Sequence, residues 1–292
     1  MLDYRLLEAL AAVIETGGFE KAAEKIHLTQ SAVSQRIRQL EQKLGQPVVL
    51  RGTPPRATAL GQRLNNHLQQ VKQLELGLFS ETDEPLKIRI TVNADSIATW
   101  LAEGLAACAT SQQMDFDLVV EDQEVGLNRM RKGEVMACIC ADSQPVNGGA
   151  VSPLGVLRYR ALASPSFIKH YQTQQNPKNL IKAPCLIFNH DDRMQHHFLE
   201  KLNLPAPTRQ HRCPSSEGFV QMALMGLGYG MIPELQVKEH LQKAQLVDVA
   251  QKIHLDVPLY WHYWQTESLA LGELRRAVIE HASKVLKPVA RL

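Results

Sequence analysis

"LTQSAVSQRIRQLEQKLGQPVVLR", residues 28–51, sets the reading of the whole N-terminal region. The hydroxyl of Thr29 suits an N-cap, because it can accept from a free backbone N–H in the first helical turn. Val33, Ile37, Leu40 and Leu44 then recur at helical spacing up to Gly45, a fitting C-terminal cap. With that face buried, the opposite face presents Gln30, Ser31, Ser34, Gln35 and Arg38. Short hydroxyl and amide side chains lead, where a helix in the DNA major groove meets base edges, and cations follow. Gln can pair with adenine, Ser can donate or accept, and arginines can grip phosphates. A lone polar helix face is most often only solvated; its neighbours give this one meaning.

Upstream, Leu6, Leu7, Leu10, Val13 and Ile14 predict a helix that Gly17-Gly18 ends, and Phe19, Ala22, Ala23 and Ile26 predict a second, short one. Downstream, "QPVVLRGTPPRA" (46–57) reads as a hairpin-like wing. Thr58 caps a further helix, with Leu60, Leu64, Leu68, Val71, Leu74 and Leu78 as its apolar stripe. Such a stripe outside a bundle calls for a partner helix. Between Glu41 and Glu75 no acidic residue occurs, while Lys43, Arg51, Arg56, Arg63 and Lys72 do. This local basic stripe, on a chain of formal net charge +2, points to a polyanion.

"FEKAAEKIHLTQSAVSQRIRQLEQKLGQPVVLR", followed by "PPRATALGQRL", resembles the winged helix-turn-helix of LysR-type transcriptional regulators. The resemblance covers the whole chain. It implies an α+β multidomain fold: a winged helix-turn-helix, a long dimerising linker helix, and a two-lobed α/β effector domain like periplasmic solute-binding proteins. On this sequence the family's base-reading positions fall on Gln30, Ser31, Ser34 and Gln35, and backbone contacts on Arg36, Arg38, Arg51 and Arg56. Thr58 and Gly61 match the turn into the linker. Gly18 stands where many members have serine and Gln35 where arginine is common, which bears on the base sequence read. The implied partners are double-stranded DNA, a second copy in a homodimer, a homotetramer built from two dimers, and RNA polymerase.

The expected divisions are 1–57 for DNA binding, 58–79 for the linker helix, 80–86 for a hinge ("SETDEP" is polar, acidic and proline-ended), and 87–292 for the effector domain. Within the last, one lobe takes about 87–160 and 266–292, the other about 161–265. From residue 86 strands and helices alternate, "LKIRITVNA", "DFDLVVED", "VMACICA", "RYRALAS", "APCLIFN", "QLVDVA" and "VPLYWHYW" reading as strands of mostly parallel sheets.

Open α/β sheets bind ligands beyond the carboxyl ends of their strands. The residues there are Asn93, Asp95 and Ser96; Glu121 and Asp122; Asp191; and Ser216 and Glu217 at a helix start. A hydroxyl at a helix N-terminus suits a carboxylate ligand, which makes Ser96 and Ser216 candidates for an α-carboxyl group. The surplus of acids suits an ammonium or guanidinium, with Asp95 ranked first because it directly precedes Ser96. Taken singly, each acid reads more simply as a helix-start cap or dipole partner. "TVNADSIATWL", "SSEGFVQMA", "YWHYW" and "TPPR" look most like the family's arginine- and lysine-responsive branch, which regulates export genes. That likeness implies L-lysine or L-arginine as the effector.

Other chemistry is not indicated. "GLGYGMIP" (226–233) follows a helical pattern rather than a strand, so it reads as a turn and not a dinucleotide cradle. The histidines at 190, 196 and 197 lack a metal-ligand spacing, and no nucleophile elbow, Walker loop or HExxH occurs. Neither a resident cofactor nor an enzyme is expected. Cys138 and Cys140 share one strand face as buried thiols. Five scattered cysteines, no apolar run near 20 residues and no signal-peptide pattern suit a bacterial cytoplasmic protein without a membrane partner. The competing class is a solute-binding protein or small enzyme on a similar two-lobed fold.

Overall fold

The structure is a computed structural model that describes residues 2–78, 85–109, 114–121, 123–250 and 253–288. Most of the expected hinge (80–84) and Asp122 lie outside the described residues.

Three helices, α1 (Tyr4–Thr16), α2 (Phe19–Lys25) and α3 (Gln30–Leu44), open the chain. Thr29 caps α3 by accepting from Ala32 N at 3.2 Å, and Gly45 closes it at φ 71°, a left-handed conformation that glycine adopts without strain. Leu7, Leu10, Val33, Ile37 and Leu40 are fully buried, and Leu44 packs against their edge. The wing pairs β1 (Val49–Leu50) with β2 (Arg56–Ala57) antiparallel. Glu41 pins its base, its carboxylate accepting from Val48 N (3.1 Å) and Val49 N (3.4 Å).

The linker helix α4 (Ala59–Leu78) divides its apolar stripe. Leu64 and Leu68 join the core of the first three helices, whereas Leu74 is exposed. Part of the stripe expected to seek a partner helix therefore completes the chain's own N-terminal core. On another face, Gln62 Nε2 donates to Arg131 O, the buried Asn65 donates to Lys132 O, and Gln70 Nε2 reaches Gly148 O at 3.4 Å.

The remainder is built on one seven-stranded sheet. Its strands are β3 (Leu86–Val92), β4 (Met114–Val120), β5 (Ala137–Cys140), β6 (Gly149–Ala163), β9 (Gly230–Pro233), β10 (Val247–Asp248) and β11 (His254–Trp264); β7 (Cys185–Ile187) and β8 (Gln210–Arg212) pair separately. The order is β10-β6-β11-β5-β3-β4, with β9 also on β6. Within this sheet β3 pairs parallel to its neighbours β4 and β5, while β6 pairs antiparallel with β9, β10 and β11, and β11 antiparallel with β5; the separate pair β7–β8 is parallel. The mostly parallel expectation is thus corrected. Sequence read 158–164 and 257–264 as short strands, but both extend backward into long strands that cross between the two halves. Pro153 and Gly155 interrupt the alternation of β6, and its partner carries a bulge at Leu259/Tyr260.

One half holds β3, β4, β5 and the near ends of the crossing strands. Its helices are α5 (Ala94–Ser96), continuing through a π-helical turn (Ile97–Leu101) into α6 (Ala102–Ala109), then α7 (Gln123–Arg131). The other holds α8 (Pro165–Tyr171), α9 (Met194–Lys201), α10 (Ser216–Leu224), α11 (Lys238–Gln242) and β7–β10. The last helix, α12 (Leu269–Val285), returns to α6. Trp100, Trp261 and Trp264 are all core residues. Gly228 and Gly230 leave room for Leu186 and Phe219, since a Cβ on Gly230 would lie 2.2 Å from the Phe219 ring, so the glycine-rich turn serves packing.

Candidate functional site

Two surfaces carry the expected residues. On α3, Gln30, Ser31, Gln35 and Arg38 are exposed and Ser34 half-buried, all away from Val33, Ile37 and Leu40. Thr29 and Ser31 hydroxyls lie 2.9 Å apart at the helix start. Arg51 and Arg56 stand exposed on the wing, Arg51 with Glu41 at 3.8 Å. Arg36 differs: its guanidinium donates to Arg5 O at 3.4 Å, which ties α3 to α1.

The second surface is a cleft of about 1180 Å³ between the two halves of the large sheet unit. Asn93, Asp95, Glu121, Asp191 and Ser216 line it. Ser96 and Glu217 do not. Ser96 is fully buried and its hydroxyl accepts from Trp100 Nε1 at 3.2 Å, while Glu217 is exposed on the outer side of α10.

Asp95 sits where β3 ends and α5 begins, just ahead of the π-helical turn, a distortion often found at functional sites. Tyr159 from β6 donates its hydroxyl to Asp95 Oδ2 at 2.7 Å, and Ser216 from α10 donates to Oδ1. Gln236 Oε1 lies 3.3 Å from the same Ser216 oxygen. Three other acids of the cleft are already engaged. Glu121 accepts from Arg129, which also binds Glu134 at 2.9 Å; Asp256 takes both arms of Arg158 at 2.7 Å; Asp192 accepts from Phe188 N (2.8 Å) and Met194 N (2.9 Å). Asp191 sits exposed on the same turn.

Asp95 therefore has hydroxyl partners and no cation among the described residues. Burial pushes its carboxyl up, the two hydroxyls hold it down, and Asp192 adds to the upward push. Burial and the same Asp95 charge push the Tyr159 phenol well up, so it remains a donor. A carboxylate held between neutral donors, in a space open to ligand, is arranged to receive a cation. Arg193 and Lys201 from the α9 region also line the cleft and bring positive charge close to Asp191 and Asp192. Among the described residues, no group of three or more His, Cys, Asp or Glu is placed to hold a metal ion.

Tyr159 and Gln236 escaped the sequence reading. The signal for Tyr159 was its place in "RYR", where strand alternation sends Arg158 and Arg160 to one face and the phenol to the other. Gln236 lies in a turn after Pro233 and carries no pattern.

Comparison with known proteins shows the family and its two domains. Residues 4–62 match the family model for the bacterial regulatory helix-turn-helix protein of the lysR family, and residues 83–283 match the LysR substrate binding domain. The chain is 47% identical to the HTH-type transcriptional regulator ArgP of Pseudomonas fluorescens over 99% of this chain and 100% of that one. The crystal structure of ArgP from Mycobacterium tuberculosis superimposes with a TM-score of 0.88 at 37% identity, covering 99% of this chain and all of that one. Full-length LysG from Corynebacterium glutamicum with bound effector Arg gives 0.82 at 29%, covering 98% and 100%. With a helix-turn-helix domain matched over 4–62 and a substrate-binding domain over 83–283, this chain belongs to the LysR family: it is a DNA-binding transcriptional regulator, not an enzyme, and carries a domain for a small-molecule effector.

Proposed function

We propose that the chain regulates amino-acid export and metabolism genes in response to L-arginine or L-lysine, which binds the cleft with its cationic side chain on Asp95. The single observation that carries this is the Asp95 carboxylate, held by Tyr159 and Ser216 and opposed by no cation among the described residues. The bound effector Arg of LysG supports the same class of ligand. Asn93, Glu121, Asp191 and Gln236 complete the polar lining, and Arg193 and Lys201 suit the effector's α-carboxylate.

On the DNA side, Gln30, Ser31, Ser34 and Gln35 read bases, while Arg38, Arg51 and Arg56 hold phosphates. Arg36 acts by fixing α3 against α1. Double-stranded DNA is read by a homodimer whose two reading helices meet two half-sites, and Leu74, exposed on α4, favours a helix partner there. Two dimers form a tetramer, and RNA polymerase is the protein partner whose release at the promoter the effector biases. The site of action is the bacterial cytoplasm, at the nucleoid. No helix among the described residues is long and apolar enough to cross a membrane.

The test is a gel-shift series with the full chain on the promoter next to its own gene, with and without each amino acid. A mobility or affinity change with arginine or lysine and none with glutamate is expected; indifference to all three contradicts the proposal.

A further inference from the structure

Cys138 and Cys140 play no part in DNA reading or in the Asp95 site. Both are buried on one face of β5, beside Thr91 of β3 and His262 of β11. His262 pairs directly opposite Cys138, one diagonal step from Cys140 along the same face. Of the two thiols, Cys140 is the one that borders the cleft.

The tautomer of His262 follows from its neighbour. Its Nε2 lies 2.7 Å from Asp142 O, and a carbonyl oxygen only accepts, so Nε2 carries the proton. Nδ1 is left as the basic nitrogen, and it is buried with no hydrogen-bond partner among the described residues. A thiol, an imidazole beside it and a third group that orients the imidazole form the arrangement that activates a sulfur nucleophile. The electrostatics run the same way. The Cys138 thiol draws Cys140 down, burial opposes this, and His262 draws it down further; Cys138 is pushed up in exchange.

We propose that Cys140 is a peroxide-reactive thiol in the wall of the effector cleft, with His262 as its base. Nδ1 takes the thiol proton, and the thiolate attacks one oxygen of hydrogen peroxide. The O–O bond breaks, sulfur is oxidised to a sulfenic acid, and the second oxygen leaves as hydroxide, which recovers the proton from Nδ1 to form water. The sulfenic acid is the first product; two residues along a strand span about 6.6 Å, at the upper end of the range a disulfide bridges. Enclosure selects the reagent: a molecule near the size of water reaches Cys140, and a bulky aromatic disulfide does not. The proposal holds whatever effector the cleft takes.

The test uses the full, reduced chain under brief hydrogen peroxide exposure, with fragment mass spectra locating the added oxygen. Cys140 is expected to gain oxygen ahead of Cys108 and Cys185, two buried thiols that burial pushes up. In folded His262→Gln its rate falls on the order of tenfold, the effect of one unit in thiol acidity. A bulky aromatic disulfide is expected to mark Cys213, which is partly exposed, and to spare Cys140. Oxidation of Cys140 in the unmutated chain no faster than of Cys108 and Cys185 overturns the proposal, as does an unchanged rate in His262→Gln.

Discussion

The hydroxyl of Ser216 donates to the carboxylate of Asp95 across the cleft, joining residues 121 apart in sequence and carried by opposite halves of the effector domain. Tyr159, on a strand that crosses between those halves, holds the other carboxylate oxygen. One acid thus touches both walls and the connection between them. A cation arriving at Asp95 shares or displaces Ser216, so occupancy of the cleft and the contact between its walls are linked.

Replacing Asp95 by Asn removes a charge-assisted interaction of about 1.5–3 kcal/mol. Arginine and lysine affinity is expected to fall roughly tenfold to a hundredfold, as measured by titration calorimetry. Stability moves the other way. The folded Asp95 carboxyl is raised, so the folded state binds the extra proton, and stability falls as pH rises from the ordinary carboxylate range through the raised value. Asn carries no such cost, and thermal melts near neutral pH are expected to show no loss of stability.

Binding of a cationic effector requires Asp95 to be charged, so affinity weakens as pH falls through its raised pKa. Tyr159→Phe removes a donor that holds that pKa down. The midpoint of the calorimetric pH profile is therefore expected to move to higher pH in this variant.

Ser34→Arg places a long cation on the base-reading face and is expected to abolish the specific operator footprint while dimerisation persists. Arg51→Ala or Arg56→Ala is expected to weaken binding to all sequences alike. The slope of log affinity against log salt should drop by about 1 for each phosphate that is no longer neutralised.

Gly61→Ala puts a Cβ 2.0 Å from Val48 O, a backbone atom at the base of the wing. Relief requires moving α4 away from the wing, at about 1–3 kcal/mol. Loss of operator binding with arginine binding retained is expected, checked by gel shift and calorimetry on the same preparation.

The DNA-binding unit was legible because its signals are local: Thr29, Gly45 and the Val33 stripe lie within one helix, and each acts where the sequence puts it. The placement of Asp95 in the cleft was legible for a similar reason, as an acid at the junction of a strand and a helix. The rest of its site was not, because Tyr159 and Gln236 reach it only through the pairing of β6 with β9 and the turn that follows. Ser96 failed for a local reason: the helix turns its hydroxyl inward to Trp100. The mixed sheet was hidden by Pro153 and Gly155, which break the alternation of a strand whose length only its partner β11 reveals.

Titration calorimetry of the full chain and of Asp95→Asn with arginine, lysine, glutamate and benzoate tests the central claim most directly. Binding of arginine or lysine that is lost in Asp95→Asn, with none of glutamate or benzoate, is the expected result. Binding of only glutamate or benzoate, or arginine binding untouched by the substitution, would contradict the assignment of Asp95 as the receptor of a basic amino acid.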